Sequence, residues 1–345
     1  LKPSFRVASL LVTTSIVCAV GVSARAEVTG PRPLFAVIPH APTSEMIKNR
    51  ASLPGTWTYT YTYDKKSYTE TWIGADPTSA TTETVPVTLI PLDLKLGSLK
   101  ENASKVTKSI IASPIFTPYD FTFGGTDLGS VQYEDAFAKV NVWDIGGSAA
   151  GYGVVLSPTT AKTVKLTVPA SDGSTGSPFG TKVLLVSINW LDPQINSLIK
   201  SLKIPTSAFP MFVTTQTYLY SGSPTGGCCI GGYHSVTGSG QPYGMFTYIQ
   251  EAGEFSQDVS ALSHELGEWI DDPYTRNNSP CGIYEVGDPL EREANYGDYS
   301  YKVGSFTYHL QDLALLPYFG GPTGVTLNNL FTMQGTSLKV CQNGA

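Results

Sequence analysis

A chain of 345 residues, 41% hydrophobic and only 14% charged, is long enough to bury a large core and too apolar for intrinsic disorder. Its formal charge is −6, from 22 basic and 28 acidic residues, with no cluster of lysine and arginine. Counterion-driven binding to nucleic acid needs a basic face, so that class is set aside.

In chain order, Lys2 and Arg6 precede an apolar run from Val7 to Val22, and Ala24-Arg25-Ala26 supplies small residues where a signal peptidase reads. Residues 1–26 are therefore expected to be a signal peptide cleaved before Glu27, sending the protein to the extracellular or periplasmic space. A transmembrane anchor needs about 20 apolar residues, more than this run provides, and no later stretch is apolar enough to span a bilayer. Cleavage would leave 19 basic against 28 acidic residues, a charge of −9, and the cysteines Cys228, Cys229, Cys281 and Cys341. An even count in an exported chain, with no CxxC pair, favours disulfides over a cysteine zinc site. A bridge between the neighbours Cys228 and Cys229 is strained. Each is expected to reach Cys281 or Cys341, in an order the sequence leaves open.

Residues 27–50, with Pro31, Pro33, Pro39 and Pro42, read as a loose leader. From Thr56 onward WTYTYTYDKKSYTETW alternates aromatic residues with threonine and charge, the period of a strand or hairpin. Val85–Leu96 alternates again, with prolines that suit an edge. A short helix is expected around Tyr133–Val140, and strands at Gly153–Leu156 and Thr163–Val168. The Ser/Gly-rich stretch 171–180 is the best candidate for a boundary or long loop. Beyond it Lys182–Asn189 reads as a buried strand. Asp192–Leu202 reads as a helix, with Ile195, Leu198, Ile199 and Leu202 at helical spacing. Met211–Tyr220 is a further strand, Gly226-Gly227-Cys228-Cys229 opens a Gly-rich loop, and Gly244–Gln250 is strand-like. The fold class is α+β, with a β-rich region over 27–170 and an α/β region over 181–345, either as two parts or as one continuous domain.

A helix begins near Gln257 or Asp258, with Asp258 a plausible cap. Wound at about 100° per residue, its residues Val259, Leu262, Leu266, Trp269 and Ile270 share one face. His264, Glu265 and Glu268 lie opposite, with Asp272 one turn on, and Ala261 and Gly267 leave room for close approach by a backbone or ligand. In HExxH, ligands at i and i+4 grip one zinc and the intervening Glu is the general base. Here Glu268 takes the i+4 place, giving HExxE with the same facing. A metal would polarise a scissile carbonyl and acidify its water, with Glu265 accepting the proton. A third ligand is expected from Glu285 or Asp288 in EVGDP. The competing reading makes His264, Glu265 and Glu268 the solvated face of an ordinary amphipathic helix. His234, in GGYHS, is a further ligand or a donor near the metal, against a structural loop histidine. His309 reads as core or surface, and His40 lies in the leader. No GxSxG elbow supports a serine hydrolase, and no Walker lysine or Rossmann spacing supports nucleotide binding.

The arrangement HELGEWIDDP…EVGDPLE resembles a group of secreted, largely uncharacterised bacterial and fungal proteins. It is more distantly similar to the EXORDIUM-like (phosphate-induced protein) family, whose microbial members show HELxE, a proline, then E-[IV]-x-D. GTDLGSVQYEDAF at 125–137, GCCIGGYHS at 227–235 and LQDLALLPYFGG at 310–321 look like the first group too. The resemblance implies a zincin-like metallopeptidase helix in the second half. His264 and Glu268 would be ligands, Glu265 the base, and Glu285 or Asp288 would complete the site, with a polypeptide as substrate. In such enzymes the strand before the active helix often pairs with extended substrate, and Gly244–Gln250 is the candidate. One imidazole with several carboxylates suits Zn2+ and also manganese, iron or calcium. The alternative function is a non-catalytic exported protein that binds the cell envelope or a polysaccharide, with a structural ion or none.

Overall fold

The computed structural model describes residues 32–38, 54–145 and 151–342, so the expected signal peptide and His40 lie outside the described residues. Period-2 alternation builds the first half. After β1 (Leu34–Ile38), the aromatic and threonine repeat folds into the hairpin of β2 (Thr56–Tyr63) and β3 (Lys66–Ile73), with Trp57 opposite Trp72 and Tyr61 opposite Tyr68. β4 (Thr82–Leu96) and β5 (Leu99–Asn102) follow, then helix α1 (Thr107–Ile111), the hairpin β6 (Tyr119–Phe123) and β7 (Thr126–Val131), and helix α2 (Tyr133–Asn141). β8 (Gly153–Thr160), β9 (Val164–Thr167), β10 (Gly173–Gly176) and β11 (Val183–Ser187) lead into helix α3 (Ile188–Ser201). β12 (Phe209–Thr215), β13 (Thr217–Tyr220), β14 (Cys228–Val236) and β15 (Pro242–Tyr248) precede helix α4 (Ser260–Asp271). The short pair β16 (Asn278–Ser279) and β17 (Gly282–Ile283) and the hairpin β18 (Asp298–Val303) and β19 (Phe306–Gln311) complete the α+β fold.

Eleven strands form one curled sheet in the order β10-β11-β13-β14-β15-β12-β4-β5, with β8 and β9 on β4 and β1 on β14. The regions 27–170 and 181–345 therefore share a single sheet, and Pro31–Ala345 forms one compact unit. Strands β11 to β15 are buried at every position, as expected for strands covered on both faces. Alternate side chains feed two cores. Leu184, Val186, Phe212, Tyr233 and Met245 pack with Leu191, Ile195 and Ile199 of α3. Val183, Leu185, Met211, Val213 and Phe246 join the core that holds Leu262, Leu266 and Trp269 of α4. Because Tyr233 faces α3, the alternation turns Gly232 and His234 toward α4. Among the described residues no helix is long and apolar enough to cross a membrane.

Several local expectations are corrected. Part of the leader is not loose: residues 34–38 form β1, paired in parallel with β14 from Ile230 to Ser235. The stretch 171–180 is not a boundary, since β10 within it is an edge strand antiparallel to β11. The run Met211–Tyr220 breaks into β12 and β13 at Gln216, whose φ is 47°. Strand β15 is hydrogen-bonded on both sides, by β14 and β12, and has no edge to offer a substrate. The expected cross-pairing of cysteines fails as well. Cys228 and Cys229 pair with each other, buried in the sheet at the start of β14, whereas Cys281 joins Cys341 across 60 residues. Asp258 does not cap α4 in the expected way. The N-cap is Val259, and Asp258 accepts from the backbone of Val259 and His309 and pairs with His309 Nδ1 at 2.6 Å.

Candidate metal centre

All twelve residues of α4 are buried, including the polar face. The helix lies against β14 and β15 on one side and β3, β19 and α2 on others, so its His264, Glu265 and Glu268 are no solvated face. Three glycines allow that approach. A Cβ at Gly267 would meet Leu313, one at Gly232 of β14 would collide with the Glu265 carboxyl, and one at Gly287 would collide with the His264 ring.

The His264 ring is oriented by Gln311. The Gln311 amide nitrogen donates to the carbonyls of Gly287 (3.2 Å) and Tyr296 (3.3 Å), so its Oε1 accepts from His264 Nδ1 at 2.5 Å. The Gln311 backbone is itself held, its N donating to Ser263 Oγ and its carbonyl accepting from Tyr133. With the proton on Nδ1, Nε2 carries its lone pair toward the cluster, the arrangement a metal-binding histidine needs. Nε2 stands 2.8 Å from Glu268 Oε1 and 3.6 Å from Asp288 Oδ1. From β14, His234 Nδ1 lies 3.4 Å from Glu265 Oε2 and 3.5 Å from Glu268 Oε2. Donor atoms within 4.8 Å of one another form three sets: His264, Glu265 and Glu268; His234, Glu268 and Glu285; and His264, Asp288 and Glu291. Glu285 is buried, and Asp288, its side chain 28% exposed, is with Glu291 the least buried part of the cluster.

Burial dominates the electrostatics. It pushes His264 down to about 4, against the pull of Asp288, so the ring is neutral near neutral pH. It pushes Glu268 and Asp288 up to about 7, with the charge of Glu268 adding to the shift of Asp288. Glu265, Glu285 and Glu291 are raised well above the carboxylate range, by burial first and by their acidic neighbours second.

These groups fit a divalent cation. Both ring nitrogens of His234, Nε2 of His264, both oxygens of Glu265 and one oxygen each of Glu268, Glu285 and Glu291 are buried without a hydrogen-bond partner. Each such atom costs about 1–3 kcal/mol, so together they would consume a net stability of only about 5–15 kcal/mol. Bonds of about 2.0–2.2 Å set neighbouring donors roughly 3 Å apart, close to the separations observed.

No known protein family, curated protein or solved structure matches the chain. Function is therefore read from the cluster itself. All five residues expected from the sequence, His264, Glu265, Glu268, Glu285 and Asp288, come together. His234 joins them from a strand and not a loop. His309 stays apart with Asp258. The sequence reading did not single out Glu291, although it ends the quoted motif EVGDPLE. It also missed Gln311, which sits in the quoted LQDLALLPYFGG, and Phe35, whose ring stacks on His264 with centroids 3.7 Å apart and planes at 22°.

Proposed function

We propose that this is a secreted metal-dependent hydrolase, a zinc peptidase of the zincin type distantly related to the EXORDIUM-like family. The observation that carries the reading is the convergence of buried, unpartnered imidazole and carboxyl donors on an HExxE helix. His264 and Glu268 would hold the ion, with Glu285 or Asp288 completing the set. When bound, a divalent ion supplies Lewis-acid polarisation of the scissile carbonyl and an acidified water. Gln311 fixes the tautomer and the ring plane of His264, so that no reorganisation is needed at Nε2. Glu265 takes the proton of the attacking water and returns it to the leaving amine. Its two oxygens, free of other hydrogen bonds, are available for both transfers.

One observation favours a second reading, a structural ion in a non-catalytic exported protein: the Phe35 ring covers His264, and both residues are buried. Glu265→Gln separates the two. In the hydrolase, this variant keeps its metal, measured by elemental analysis, and loses at least about a hundredfold in peptide-bond cleavage. Retained cleavage would overturn the assigned role of Glu265. No metal in the wild type, together with none in a His264→Ala, Glu268→Ala control, would overturn the centre itself.

A further inference from the structure

We infer that the centre is built for two divalent cations, with Glu268 as the carboxylate shared between them. This rests on the metal-centre reading above and goes beyond the single ion that an HExxE helix calls for. Of the three triads, two have no residue in common, His234, Glu268 and Glu285 on one side and His264, Asp288 and Glu291 on the other, and the third, His264, Glu265 and Glu268, links them. Among the described residues no converging set contains both imidazoles, so they do not serve one ion together. Glu268 belongs to the first triad and, through the third, also stands with His264. Its Oε1 faces His264 Nε2 at 2.8 Å, and its Oε2 faces His234 Nδ1 at 3.5 Å. Two oxygens of one carboxylate turned toward two separate imidazoles form a bridge.

The orphaned atoms also fall on both sides. An ion gripped by His264 and its neighbours would leave both ring nitrogens of His234 and Oε1 of Glu285 without partners, although His234 is 1% exposed and Glu285 4%. A histidine retained merely for packing would bond at least one ring nitrogen. Charge points the same way. Five carboxylates, Glu265, Glu268, Glu285, Asp288 and Glu291, surround two imidazoles. One dication balances two of them and two balance four, while Arg292 acts on Asp288 and Glu291. Buried charge that is not balanced in this way is too costly to keep. Each ion would receive one imidazole nitrogen and several carboxylate oxygens, a donor set suited to zinc, manganese or iron. Paired ions of this kind clamp the attacking and the leaving atoms together.

The full chain, loaded with zinc or manganese and freed of loosely held metal by gel filtration, tests this by native mass spectrometry. Two ions per chain are expected in the wild type, one in His234→Ala and one or none in His264→Ala. Loaded with manganese, the wild type should give the exchange-coupled spectrum of a neighbouring pair by electron paramagnetic resonance, and His234→Ala an isolated-ion spectrum. One ion in the wild type, unchanged in His234→Ala, would overturn the second site and leave the first standing. No ion in any form would overturn the metal centre as a whole. If His234→Ala does not fold, His234→Gln takes its place, and the wild-type stoichiometry alone is already decisive.

Discussion

Glu70, in β3, is fully buried, with Oε1 accepting from Tyr61 at 3.4 Å and Oε2 bonded to nothing. It belongs to a second acidic group with Asp271 and Asp272 at the far end of α4, where, among the described residues, no three donors converge. Burial, reinforced by the charge of Asp272, pushes Glu70 up to about 8 from an ordinary 4.5. The folded chain then keeps a proton that the unfolded chain releases, so stability falls as pH rises from about 4.5 to about 8. Glu70→Gln keeps the shape and the bond to Tyr61 but does not titrate. Its melting temperature should match the wild type at pH 4 and exceed it by several degrees at pH 8. Equal melting at pH 8 would mean that the fold tolerates the carboxylate. Which residues gather at the candidate centre was partly legible in the sequence. His264, Glu265 and Glu268 share one helical turn, so spacing alone fixes their facing. Glu291, Gln311 and Phe35 reach the same point from segments with no shared period, and only tertiary packing brings them there.

At the scale of elements, β14 organises the site. Its residues 232–236 pair with β15 on one side and its residues 230–235 with β1 on the other, so the edge nearest the cluster is already filled. β1 brings Phe35 onto His264, packs it edge-on to Phe255 at 5.5 Å, and offers its backbone N–H to Glu291. Truncating that ring should uncover the cluster. In Phe35→Ala a chelator should strip the metal at least about tenfold faster, followed by absorbance of the chelate, with a loss of roughly 3–5 kcal/mol in unfolding free energy. An unchanged stripping rate at that destabilisation would show that the ring packs without covering. The hairpin β2–β3 was legible because strict alternation over both arms leaves it one register. β1 was not. Five apolar residues in a proline-rich stretch carry no period long enough to read, and their ladder exists only because β14 has an open edge. The vicinal pairing of Cys228 and Cys229 was missed for a similar reason: β14 draws both into the sheet interior, and Cys281 lies with the C-terminal segment.

At the scale of the whole molecule, the candidate centre ties together parts of the chain that are far apart in sequence. α4 supplies His264, Glu265 and Glu268, β14 supplies His234, and the segment after β17 supplies Glu285, Asp288 and Glu291. The α+β class and the HExxE helix could be read from periodicity. The union of the two regions in one sheet could not, because β4 finds β12, β8 and β9 through long-range pairing. An ion held at such a junction binds the folded chain and not the unfolded one, so it stabilises the whole unit by mass action. At a free concentration a hundred to a thousand times the dissociation constant, each site contributes about 2.7–4.1 kcal/mol. Since Pro31–Ala345 is one compact unit, chelation should lower a single cooperative transition, by about 5–15 °C for a chain of this size, and should not split it in two. Glu268→Gln, which removes the carboxylate whose two oxygens face the two imidazoles, should melt at the same low temperature with or without chelator. A wild type whose melting ignores chelator, zinc and manganese alike would mean that the cluster is stable as a set of protonated acids around the two histidines, and that its orphaned donors are satisfied by ordered water instead of metal.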